Sequence, residues 1–75
     1  MQSDEGRSKL ATMSRQIADF FRPYPREQAV GSVAEHINRF WTPRMREQLL
    51  DLPETALDPL VAAARAQVRA GKRSA

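Results

Sequence analysis

Arg39-Phe40-Trp41-Thr42-Pro43-Arg44-Met45-Arg46 holds the sole tryptophan of a 75-residue chain and three of its twelve lysines and arginines. A threonine followed by proline is a helix-start signal. The hydroxyl can cap the first turn, and proline at the first helical position gives up an N–H that would have had no partner. Phe40 and Trp41 therefore close one helix, and Met45, Leu49 and Leu52 line the next. The apolar spacing on both sides of this corner has the helical period, so the corner decides for a helical fold.

Upstream of the corner, Ala29, Val30, Val33, Ala34, Ile37, Phe40 and Trp41 form one apolar face of a helix predicted over about 26–41. Glu27 falls in its first turn, where a carboxylate complements the helix dipole. Glu35 precedes Arg39 by four residues, the favoured order for a surface ion pair. Gly31 lies inside this helix at a cost of ~1 kcal/mol relative to alanine; close approach of a neighbouring helix or simple tolerance would explain it. Further back, Leu10, Met13, Ile17, Phe20 and Phe21 mark a helix over about 9–21, with Arg15, Asp19 and Arg22 on its opposite side. Pro23 and Pro25 end it and stiffen an elbow around Tyr24. Residues 1–8 are polar, without periodicity, and read as a disordered lead.

Downstream, a short helix is expected over about 43–51, followed by a loop from Pro53 to Leu57. Asp58-Pro59 repeats the cap-then-proline signal and starts a helix over about 59–70. Leu60, Val61, Ala64 and Val68 face inward, Arg65 and Arg69 outward, and Gly71 takes the position just past the end. Residues 71–75 form a basic tail. No alternating run of β-branched residues and no hairpin dipeptide occurs. The expected fold is all-α: one domain over 9–70 built as a small bundle of three to four short helices. Its core is expected to draw on Leu10, Met13, Ile17, Phe20, Phe21, Val30, Val33, Ile37, Phe40, Met45, Leu49, Leu60 and Val61.

A chain of this length buries only roughly 60% of the surface its unfolded form exposes, and small domains make up the shortfall with disulfides, metals or partners. With no cysteine and one histidine, association with another chain is the route left open. The net charge of +3 and a pI of about 10.2 invite a nucleic-acid reading. Against it, the ten arginines are spread over all the helices instead of lining one recognition helix, and arginine equally suits protein interfaces. No apolar run approaches the ~20 residues of a membrane span, and residues 1–9 lack the apolar core of a signal peptide. The expected location is cytoplasmic.

Catalysis needs a nucleophile, a base and an orienting group, or a metal. No template is filled, so no catalytic, cofactor-binding or metal-binding residue is assigned. His36 sits at the margin of the apolar stripe, either as a half-buried histidine or as a pH-sensitive contact. Binding is the function that remains. Trp41 is the expected anchor, since tryptophan is enriched in binding hot spots; it could equally fill the space between the helices. Arg39, Arg44 and Arg46 flank it and suit an acidic protein surface, or form an ordinary solvated face. Tyr24 is a second candidate anchor.

Four pieces of the chain resemble the delta subunit of NAD-dependent, molybdenum-containing formate dehydrogenase. They are Lys9-Leu10 through Met13 to Gln16-Ile17-Ala18-Asp19-Phe20-Phe21; Ala29-Val30 with Ala34-Glu35-His36-Ile37; the opening block Arg39 to Arg46; and Leu57-Asp58-Pro59-Leu60-Val61. The resemblance spans roughly residues 9–65 and is most specific in the opening block. It implies an accessory subunit of a cytoplasmic complex without chemistry of its own. The implied partners are the large molybdenum-bearing subunit and the diaphorase subunits, which would carry molybdopterin, iron–sulfur clusters, FMN and NAD. Stabilising the assembled enzyme and assisting cofactor insertion are both compatible roles. A nucleic-acid-binding helical protein and a self-associating helical module are the alternatives.

Overall fold

The computed structural model describes the backbone of residues 2–69 and the side chains of residues 8–69. Four α-helices occur in it: α1 Gln2–Phe21, α2 Arg26–Phe40, α3 Pro43–Leu50 and α4 Pro59–Ala64. Single 3-10 turns span Glu54–Ala56 and Arg65–Gln67. No strand is present among the described residues, so the expected all-α class holds. Both proline start signals work as read. The Thr42 hydroxyl accepts from the Met45 N–H at 3.2 Å, and the Asp58 carboxylate accepts from the Leu60 N–H at 2.8 Å. Each cap satisfies a donor that the first turn of a helix leaves without a partner.

Two boundaries differ from expectation. α1 starts at Gln2, where residues 1–8 were expected to be disordered; Met1 lies outside the described residues. Nothing before Pro23 stops the ladder. Once a helix is nucleated, each added residue costs little, and Gly6 alone removes only ~1 kcal/mol. At the other end, α4 stops at Ala64, tightens into the turn Arg65–Gln67, and Val68 is extended at φ −82, ψ 129. The expected helix to residue 70 is thus cut short because Asn38 of α2 captures the backbone: its Nδ2 donates to Gln67 O at 3.0 Å, and its Oδ1 accepts from the Arg69 N–H at 2.7 Å. A side chain offering both bonds competes directly with the helical ladder. Ala70, the Gly71 cap and the basic tail lie outside the described residues.

α2 is the centre of the packing and touches both α1 and α4, while α1 also meets α3 and α4. The helices meet over small side chains. Ser14 and Ala18 of α1, Ala29 and Ala34 of α2 and Ala64 of α4 are all buried, which lets the backbones approach. The buried Ser14 hydroxyl is satisfied by donating to Ala11 O at 2.9 Å. Val33, Ile37, Leu49 and Val61 fill the interior. The connection after α3 adds Leu52 and Leu57, and Val68 closes the far end.

The expected core needs two corrections. Phe20 is 70% exposed and Phe40 is 69% exposed, whereas Trp41 is 6% exposed. The cause lies in the helical period. On α1 the residues facing inward are Leu10, Ser14 and Ala18, spaced by four, so the row Met13, Ile17 and Phe20 is turned to the edge of the interface. Met13, Ile17 and Phe21 pack there half-buried, as do Val30 and Met45. Leu10, Val33, Ile37, Leu49, Leu60 and Val61 are buried as expected.

A Cβ added at Gly31 would meet nothing within 4 Å. Close approach of another helix is therefore not its purpose, and tolerance is. Gly31→Ala should stabilise the chain by about 0.5–1 kcal/mol through helix propensity and unfolded-state entropy, read as a higher urea midpoint; a lower midpoint would contradict the open space around it.

Candidate interaction surface

The corner behaves differently from its sequence reading. Trp41 leaves the helix with extended backbone, φ −86 and ψ 145, while its N–H still donates to Ile37 O at 3.0 Å. This swing turns the indole inward. Phe40, the last helical residue, is left outside, where its ring sits 4.8 Å from the His36 ring. Arg46 is likewise turned to internal use. Its Nε donates to Arg69 O at 2.9 Å, and one terminal nitrogen donates to Trp41 O at 2.8 Å and to Asn38 O at 3.4 Å. It closes the C-terminal end of α2, where carbonyls lack partners and a cation is favoured. Arg39 and Arg44 are exposed, and Arg39 forms the expected pair with Glu35 at 3.4 Å. Of the five residues expected to face a partner, Arg39, Arg44 and Tyr24 are on the surface; Trp41 and Arg46 hold the fold.

What the surface does offer is a groove of about 460 Å³ lined by Met13, Gln16, Ile17, Phe20, Phe21, His36 and Trp41. α1 supplies one wall through the row that the helical period turns away from the core. α2 and the corner supply the other. Phe20 stands edge-on to Phe21 with ring centres 5.0 Å apart, and Tyr24 continues the aromatic row 6.1 Å beyond Phe21. Among the described residues the lining is apolar apart from Gln16, His36 and the indole N–H of Trp41. A second hollow, of about 610 Å³, is polar and lies between Gly31, Glu35, Asn38, Arg39, Gln67 and Arg69. Among the described residues no group of three or more histidine and acidic side chains is placed to hold a metal ion. None of their helices is long and apolar enough to cross a membrane.

Residues 9–65, which contain the whole groove and the corner, match the family model for the NADH-dependent formate dehydrogenase delta subunit, FdsD. The chain belongs to this family. No curated protein and no solved structure matches it significantly. The resemblance seen in the sequence is thus confirmed over the stretch that carried it. The family match of this delta subunit includes Trp41, Asn38, Arg46 and Arg65, so the internal devices of the fold lie within the matched region, while Arg69 falls beyond it.

Three of these devices escape sequence reading. Arg65 of the delta subunit, expected to face outward, turns back and donates to Leu52 O at 2.7 Å and Leu50 O at 3.4 Å, serving the end of α3 as Arg46 serves the end of α2. Asn38 holds the segment after α4. The third is Arg22, which links two helices. Its guanidinium bonds Asp19 on α1 and reaches Asp58, the cap of α4, at 3.1 and 3.3 Å. These pairs place Arg22 above its ordinary pKa, chiefly through the Asp19 and Asp58 hydrogen bonds. Partial burial pushes the Asp58 carboxyl up, but the Arg22 hydrogen bond, the Leu60 N–H and the Arg22 charge together bring it below the usual carboxylate range. A carboxylate whose folded pKa is depressed adds stability above its unfolded pKa, about 3.9, and that stability is lost as the pH falls through the folded value. Asp58→Ala should therefore cost about 1–2 kcal/mol at neutral pH, from the lost cap. The gap to wild type should narrow as the pH drops below about 4 in urea titrations; a gap unchanged down to pH 2 would mean the carboxylate is not the stabilising species.

Proposed function

We propose that this delta subunit is a non-catalytic accessory chain that docks on the large molybdenum-bearing subunit of a cytoplasmic formate dehydrogenase complex and supports its assembly, stability or cofactor insertion. The observation that carries this reading is the family match over residues 9–65. Composition supports the division of labour: the chain has no cysteine with which to ligate an iron–sulfur cluster, so molybdopterin, clusters, FMN and NAD are assigned to the larger subunits. The open apolar groove supports a docking role, since contiguous exposed apolar patches mark interaction sites. The nucleic-acid alternative loses ground, because Arg22, Arg46 and Arg65 are committed to carboxylates and backbone carbonyls of the chain itself.

Isolation of the affinity-tagged full chain from its native cell tests the reading. Large cluster-bearing subunits with formate-dependent NAD⁺ reduction should come with it. Recovery of the chain without them, from cells that contain active formate dehydrogenase, would contradict it.

A further inference from the structure

The groove between α1 and the α2–α3 corner has an unusual rim. Phe20, which lines the groove, and Phe40, whose ring packs against the groove-lining His36, stand out at 70% and 69% exposure. A large aromatic ring carries 150–250 Å² of surface that favours burial. Two such rings beside one apolar hollow contribute little to this fold and much to a contact.

Charge says what kind of contact. Among the described residues no carboxylate lines the groove; the lining residues with polar groups are Gln16, His36 and Trp41, through its indole N–H. Cations stand around it by position in the chain. Lys9 lies on the α1 row that continues to Met13, Gln16 and Phe20, and Arg44 follows the corner; both are exposed. The acids nearest to the groove in sequence are compensated within the chain: Asp19, beside Phe20, pairs with Arg22, and Glu35, beside His36, pairs with Arg39. A second copy of the chain would bring this cationic rim against itself under two-fold symmetry, with a net charge of +3 on each protomer. An acidic surround on the partner would turn the same rim into an attraction.

We infer that the groove receives an apolar segment flanked by acidic residues, an amphipathic helix laid along the groove with its apolar face between Phe20 and Phe40, contributed by a larger subunit of the complex. The inference rests on the accessory-subunit reading. Helix-in-groove docking places a few anchoring side chains in the hollow and leaves the charges at the rim to set orientation and association rate.

The test uses formate dehydrogenase complex purified from cells lacking this subunit and the full-length chain as wild type, Phe20→Ala, Phe40→Ala and Arg44→Glu. Each aromatic truncation should weaken binding by about 30-fold or more, as hot-spot aromatics do, with unchanged helicity and urea midpoint. Arg44→Glu should slow association and reduce its dependence on salt. A photo-reactive phenylalanine at position 20 should cross-link to an apolar stretch bordered by Asp and Glu in a larger subunit. If wild type binds and both alanine variants bind equally well, the groove inference fails while the accessory reading stands. If wild type does not bind, both fail. Cross-linking to a second copy of the chain would replace the inference with a homodimer.

Discussion

Trp41→Ala should destabilise the chain by about 3–5 kcal/mol, the range for removing a large aromatic from a core. The indole is the largest side chain in the interior, and it enters from a residue that has already left the helix. No neighbouring residue of α2 can take its place, since Phe40 on the preceding position is directed outward. A domain of 75 residues has roughly 4–11 kcal/mol to lose, at 0.05–0.15 kcal/mol per residue. The variant should thus be close to unfolded at 37 °C. Because Trp41 also lines the groove, water can enter the space it leaves, which pulls the expected cost toward the lower end of the range. Phe40→Ala, one residue away, should stay within about 0.5 kcal/mol of wild type. Urea unfolding followed by helicity compares the two; equal losses would contradict the inward swing at residue 41.

The second large effect is expected at Arg46. Its guanidinium serves three carbonyls, of Asn38, Trp41 and Arg69, and bonds involving a charged partner contribute about 1.5–3 kcal/mol. Arg46→Met keeps most of the aliphatic stem and removes all the donors, so a loss of about 2–3 kcal/mol is expected. Solvent access to part of the site keeps it from being larger. Arg46→Lys should recover only a fraction, because a single ammonium lacks the planar fork that reaches carbonyls on two segments. Arg44→Met, two residues earlier on the exposed side, should be within about 0.5 kcal/mol of wild type. If Arg44 and Arg46 variants unfold at the same urea concentration, the internal role of Arg46 is wrong.

These two expectations mark where sequence reading succeeded and where it stopped. The proline-anchored starts at Thr42 and Asp58 were legible because capping is local: a hydroxyl or carboxylate, a proline and the next turn suffice. The starts of α3 and α4 follow from this. Phe20 and Phe40 were misplaced because hydrophobicity was read as inwardness. The buried positions of α1 include Ser14 and Ala18, and those of α2 include Ala29 and Ala34, and small residues give no hydrophobic signal of comparable strength. Enrichment of tryptophan at binding sites does not decide between an anchor and a filler at position 41; the extended backbone there turns the indole inward, which is the space-filling alternative. The roles of Asn38, Arg46 and Arg65 depend on backbone groups 5 to 31 positions away in the chain, and no local pattern encodes such distances.

The central claim is that Phe20 and Phe40 face the partner while Trp41 belongs to the interior. Hydroxyl-radical footprinting of the full chain, free and bound to formate dehydrogenase complex, with each residue normalised to its intrinsic reactivity, tests it most directly. In the free chain Phe20 and Phe40 should be modified readily and Trp41 slowly; on binding, both phenylalanines should become protected and Trp41 should change little. A tryptophan that is reactive in the free chain and protected in the complex, with the two phenylalanines unaffected, would contradict the claim.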